Sequence, residues 1–167
     1  MAFSVKSAVG SLNPIIRSGL IAGAICGEVI VLIVLVNAIL LRDLAAAAGS
    51  GPVLAGWNIV YPLLIILVFE IGGIFAAKLC KDSVKGLKDA IVTGSIAGVT
   101  IGIILEVMWF SNLVSLVVTN SVSLGLGGML MVAGLLIVLV LMGGVLSAFG
   151  SYIYSIRNGS AIRGSAG

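Results

Sequence analysis

Apolar residues run almost unbroken through four long stretches of the chain, from about Ser18 to Leu41, Asn58 to Ala77, Ala90 to Val118 and Leu124 to Tyr154. The stretches do not alternate apolar and polar residues, which a membrane-barrel strand would do over ~10 positions. Each exceeds the ~17 residues that cross bilayer hydrocarbon, where the backbone satisfies its polar groups only as a helix or a closed barrel. The pattern therefore predicts an all-α membrane protein with four transmembrane helices, at 18–41, 58–77, 90–118 and 124–154. The third and fourth runs are long enough to tilt or to project beyond the lipid.

Two features precede the first long connection. "FSVKSAVGSL" places Val5, Val9 and Leu12 on one helical face, so residues 3–12 are expected either to form a short helix lying on the membrane surface or to fray. The small residues of "LAAAAG" (44–49) resemble a signal-peptide cleavage site, but the apolar stretch before them is about twice the usual 7–15 residues of a signal core. The first helix is expected to be retained.

Composition agrees with the pattern. Hydrophobic residues make up 60% of the 167 positions and charged residues 9%, far below the roughly 25% of a soluble domain, and the mean hydropathy is +1.32. Four spans use most of the length, so one membrane domain, 1–167, is expected. The net charge of +3 would suit nucleic acid only if the basic residues formed a patch, and instead they mark topology. Lys6, Arg17, Lys78, Lys81, Lys85, Lys88, Arg157 and Arg163 all fall on one side of the four spans, and Arg42 alone falls on the other. The positive-inside rule then places both termini and the middle loop in the cytoplasm. Trp57, Tyr61 and Trp109 near the outer boundary, with Tyr152 and Tyr154 near the inner one, agree as interfacial belts. Lys81, Lys85 and Lys88 share one helical face suited to phospholipid headgroups, or simply to solvation.

The chain reads as a tandem repeat. A shift of 75 residues lays "GLIAGAICG" (19–27) over "GSIAGVTIG" (94–102) and carries Asn37 onto Asn112; a shift of 71 lays "LIILVFEIGGIFAA" (64–77) over "LLIVLVLMGGVLSA" (135–148). Each unit is a two-helix hairpin entering from the same side, which makes the repeat parallel and not inverted. Gly19, Gly23 and Gly27, like Gly94, Gly98 and Gly102, recur every fourth residue and form a seam where another backbone can approach closely. The first and third helices are expected to pack through these seams, against each other or against another subunit, and Gly72 and Gly73 add a second small-residue contact.

Candidate chemistry rests on three residues, Glu28, Glu70 and Glu106, which are the only glutamates and all lie inside apolar runs. At ~1.5 Å per residue, Glu28 is about 16 Å in from Arg17 and Glu70 about 12 Å in from Lys78, both near mid-membrane, whereas Glu106 is about 27 Å in from Lys88 and close to the outer edge. Glu106 continues the series Gly94, Gly98, Gly102, and Glu70 shares a face with Gly73 and Ala77, so both are expected to point toward protein. Glu28 is turned about 100° from the seam of Gly27. An ionised acid at mid-bilayer costs on the order of 3 kcal/mol, and no lysine, arginine or histidine lies deep in a span to offset it. Three fates follow: a protonated, hydrogen-bonded carboxyl, a cation from a partner subunit, or a proton or cation site. Asn37 and Asn112, near outer helix ends, are expected to cap or to bond between helices.

Other chemistry is sparse. Cys26 and Cys80 differ too much in expected depth for a disulfide. Without histidine there is no ordinary zinc or haem set, and no Gly-rich phosphate loop occurs, so no cofactor is expected. The sequon at Asn158 lies on the cytoplasmic side and should stay unmodified.

The segment "GGIFAAKLCKDSVKGLKDAIVTGSIAG" (72–98), a Gly-Gly helix end, a short basic loop and a Gly-x-x-x-Gly helix, resembles the middle of small four-helix integral membrane proteins of prokaryotes. The resemblance implies a multi-pass protein of a bacterial or archaeal cell membrane and carries no activity with it. Four helices, two repeats and a membrane glutamate also resemble the rotor proteolipids of proton-pumping ATPases. This chain departs from them by scattering its acids over three helices. The expected role is a non-enzymatic accessory subunit packed against lipid and other membrane subunits. The alternative is a small cation or proton conduit using Glu28 and Glu70, with a membrane-embedded enzyme a distant third.

Overall fold

A computed structural model describes residues 12–46, 51–81, 86–120 and 126–158. They form four helices: α1 (Pro14–Ala46), α2 (Gly51–Leu79), α3 (Leu87–Asn120) and α4 (Leu126–Arg157). Each contains a segment long and apolar enough to cross a membrane: Pro14–Leu41, Gly56–Leu79, Leu87–Ser111 and Ala133–Arg157. The chain is thus an all-helical, multi-pass membrane protein in its build. The surface helix expected over residues 3–12 falls almost entirely outside the described residues.

Local chemistry sets the helix ends. Asn13 caps α1, its Oδ1 accepting the Ile15 N–H at 3.0 Å, and Pro14 fills the first helical position, where a missing N–H costs nothing. Asp89 lies in the first turn of α3, and Lys78 and Arg157 lie in the last turns of α2 and α4, each charge opposing the local end of the helix dipole. At 29 to 34 residues, the helices run ~45–50 Å and overreach the ~30 Å hydrocarbon.

α2 and α3 each pack on all the other helices, and α1 and α4 occupy the outer corners, each against α2 and α3. The α3 span is the most enclosed of the four, with 39% of its most apolar window buried. Residue size is graded from inside out. Ala22, Ala76, Ala97, Ser147 and Ser151 are buried, while Leu32, Ile39, Leu141 and Val145 face outward. Lipid tails are as apolar as leucine, so burial of large side chains drives association weakly; small inner residues let backbones close up and gain dispersion contacts. One larger cluster fills the space between α1, α2 and α3: Cys26, Ile30, Val34, Val68, Phe69, Ile101 and Leu105.

Candidate functional site

The glycine series set the rotation of the helices and so the direction of the acids. On α1, a Cβ at Gly19 would lie 2.8 Å from Ile96 Cβ, one at Gly23 would lie 2.5 Å from Thr100 Cβ, and one at Gly27 would meet Ile104. That face of α1 is therefore closed onto α3. The series on α3 turns elsewhere. Cβ atoms at Gly94, Gly98 and Gly102 would meet Ser151, the Gly143 carbonyl and Val140, all on α4. The two seams do not meet each other. They form a relay, α1 onto α3 and α3 onto α4. Gly72 sits against Ile101 and Cys26, and Gly73 against the Ser147 backbone.

With those rotations set, the three acids point in three directions. Glu28 stands at the midpoint of the Pro14–Leu41 span and is exposed, on the side of α1 away from its buried residues Cys26, Gly27 and Ile30. Among the described residues it has no ion pair. Glu70 is half-buried at the margin between α2 and α4, where its backbone carbonyl stands in the way of any Cβ at Gly150. It also ends a shallow groove of about 350 Å³ lined by Val60, Leu63, Leu64, Ile66 and Leu67. Glu106 is half-buried, with one carboxyl oxygen enclosed and no hydrogen-bond partner among the described residues. The structure does not bring the three together. Among the described residues no group of three His, Cys, Asp or Glu side chains could hold a metal ion. Cys26 and Cys80 are buried free thiols.

Two polar contacts between helices bear on this arrangement. Trp57 donates its Nε1–H to Asn37 Oδ1 at 2.7 Å, tying α1 to α2, with the Tyr61 ring 6.5 Å from the indole. Asn37 thus makes an interhelical bond and not a cap. The side chain of Asn112 lies outside the described residues. Asn37→Ala should leave the Trp57 N–H unpaired and cost about 1 kcal/mol, near the middle of values measured for such bonds in bilayers. Unfolding midpoints of Asn37→Ala, Trp57→Phe and the double variant would show the two losses to be non-additive.

The second contact was not foreseen from the sequence. Ser147, Ser151 and Ser155 are buried on α4 and follow Gly143 at intervals of four, and Ser151 Oγ donates to the Gly73 carbonyl of α2 at 2.6 Å. The signal was present in "GGVLSAFGSYIYS" as a fourth small-residue stripe. Thr93 and Thr100 instead donate to carbonyls of their own helix, Asp89 and Ile96, both at 2.8 Å.

At the helix ends, Arg17, Lys81, Lys88 and Arg157 are exposed, and Lys85 lies outside the described residues. Compared with family models, curated proteins and solved structures, the chain has no significant match in any of the three.

Proposed function

We propose that the chain is a non-enzymatic subunit of a larger membrane assembly, held in it by the outer faces of its helices. The observation that carries this reading is Glu28, exposed at the midpoint of a membrane span and on the side away from the bundle. A carboxyl there gains no hydrogen bond from lipid and, if ionised, costs on the order of 3 kcal/mol. A neighbouring subunit removes that cost. The relay of small-residue seams supports the same view, since it makes a closed rigid body with its bulky side chains left outside for contact with lipid or protein.

The finer organisation belongs to the same proposal. Two tandem hairpins, α1–α2 and α3–α4, stack with α1 beside α3 and α2 beside α4, and the termini and the basic middle loop face the cytoplasm of a prokaryotic cell. Arg17, Lys78, Lys81, Lys88 and Arg157 support that orientation, because all five sit at the same end of the antiparallel bundle.

The test has two arms. Extracted from its own membrane in native lipid, the protein should run with other chains attached; running as a lone monomer removes the reading. Reconstituted alone in liposomes, it should carry no proton or cation flux above protein-free vesicles, and Glu70→Gln should change nothing. A flux that Glu28→Gln or Glu70→Gln abolishes would establish the conduit instead. The groove ending at Glu70 is the feature that favours this second reading.

A further inference from the structure

The outward face of α1 joins a spacing to a charge. Ile21, Ile25, Glu28, Leu32, Leu35 and Ile39 succeed one another at intervals of four, three, four, three and four. That alternation of four and three repeats every seven residues and traces the a/d seam of a left-handed helix pair, in which one helix inserts its side chains between those of another. All of these residues except the half-buried Ile21 are exposed. The other side of α1 is already occupied, because Gly19, Gly23 and Gly27 lie against α3. So α1 has a small-residue face that is filled within the chain and a large-residue face that is not.

Lipid covers isoleucine and leucine without loss, but it offers Glu28 neither a hydrogen bond nor a countercharge. Among the described residues the chain supplies none either. Arg17 is eleven residues away, ~16 Å along the axis, and Lys78, Lys81, Lys88 and Arg157 belong to the same inner end. A polar residue at one position of an otherwise apolar seam is also the usual device for fixing register between paired helices.

Resting on the reading of the chain as an assembly subunit, we infer that this seam docks a transmembrane helix of a different protein, one carrying a lysine or arginine at mid-depth, with its cation set against Glu28. A second copy of this chain would bring another carboxyl to Glu28 and not a cation. The hydrogen-bonded ion pair orients the partner, and the four exposed side chains Ile25, Leu32, Leu35 and Ile39 interdigitate with it.

The test uses the full chain, dye-labelled and reconstituted in phosphatidylcholine vesicles with a labelled Leu/Ala transmembrane peptide bearing one central lysine. A matching peptide with leucine at that position is the control, and association is read by energy transfer. The lysine peptide should bind the native chain at least about tenfold more tightly than the leucine peptide does. Glu28→Gln should erase that difference, Glu70→Gln should preserve it, and Leu32→Ala with Leu35→Ala should weaken both peptides severalfold. Glu28 is exposed, so Glu28→Gln should unfold at the midpoint of the native chain, which separates loss of binding from loss of fold.

Equal binding to the native and Glu28→Gln chains overturns the inference, as does loss of binding in Glu70→Gln alone. Self-association between differently labelled copies that Glu28→Gln abolishes overturns it too, by making the occupant a second copy. The flux measurement decides the underlying reading separately: silent liposomes with no lysine-peptide preference would leave a subunit without this partner.

Discussion

Gly73→Ala and Gly98→Ala should each destabilise the bundle by about 3 kcal/mol, among the largest costs of a single added methyl at the described glycines. The reason is what the methyl would strike. At Gly73 it runs into the backbone carbonyl of Ser147, and at Gly98 into that of Gly143. A side chain can rotate out of the way; a helix backbone cannot. The only relief is to move α4 away from α2 or α3, which gives up dispersion contacts along the whole seam and, for Gly73, stretches the Ser151 bond to its carbonyl. Overpacking a well-filled interior costs ~1–3 kcal/mol, and a clash with fixed backbone lies at the upper end.

Two other glycines provide the scale. A Cβ at Gly27 would meet Ile104 Cδ1, the far end of a flexible side chain, so Gly27→Ala should cost less than about 1 kcal/mol. At Gly56 nothing lies within 4 Å, and alanine there should be neutral or slightly favourable because it is the better helix former. Unfolding by titration with denaturing detergent, followed by Trp fluorescence, gives the order. Helix content should stay constant across the set, since each span remains helical in lipid whether or not it is packed. Equal midpoints for Gly56→Ala and Gly98→Ala would refute this account of the seams.

These same glycines show what could and could not be read from the sequence. Four helices were legible because bilayer insertion depends on apolar content summed over ~20 residues, and no tertiary contact alters that sum. The seams were legible because a spacing of four places residues on one helix face. Their partners were not. A small-residue stripe says that some backbone comes close, but the receiving helix is chosen by a complementary stripe, and α4 carries one in Gly143, Ser147, Ser151 and Ser155. The α3 glycines therefore meet α4 while the α1 glycines meet α3. The acids divide in the same way. Their depth followed from counting residues, and the turn of Glu28 from Gly27 followed from ~100° per residue. Whether that turn led to lipid or to a third helix depended on where α2 and α3 stand around α1, which is settled only by the packing.

Ile101→Ala should cost about 2 kcal/mol, roughly half of what the same change costs in a water-soluble core. Ile101 is fully buried among Cys26, Ile30, Val68, Phe69 and Leu105. In a soluble protein such a truncation loses both a transfer term and a cavity term, for a total of ~2–5 kcal/mol. In a bilayer the unpacked helix leaves isoleucine in hydrocarbon, so the transfer term largely cancels. The cavity term remains, and at ~24 cal/mol per Å³ a void of roughly 80 Å³ costs about 2 kcal/mol. Leu32→Ala, on the exposed face, opens no void and should leave the unfolding midpoint of the isolated chain unchanged.

Gly72 offers a way to check that the loss is a cavity and not a change in helix propensity. A Cβ at Gly72 would lie 2.6 Å from Ile101 Cδ1, so Gly72→Ala alone should be mildly destabilising. Once Ile101 is cut back to alanine, the same methyl enters the vacated space. The double variant Gly72→Ala, Ile101→Ala should therefore be more stable than Ile101→Ala alone, with a favourable coupling of about 1 kcal/mol. Additive losses would mean that α2 and α3 are not in contact at this point, and the central position given to Ile101 would be wrong.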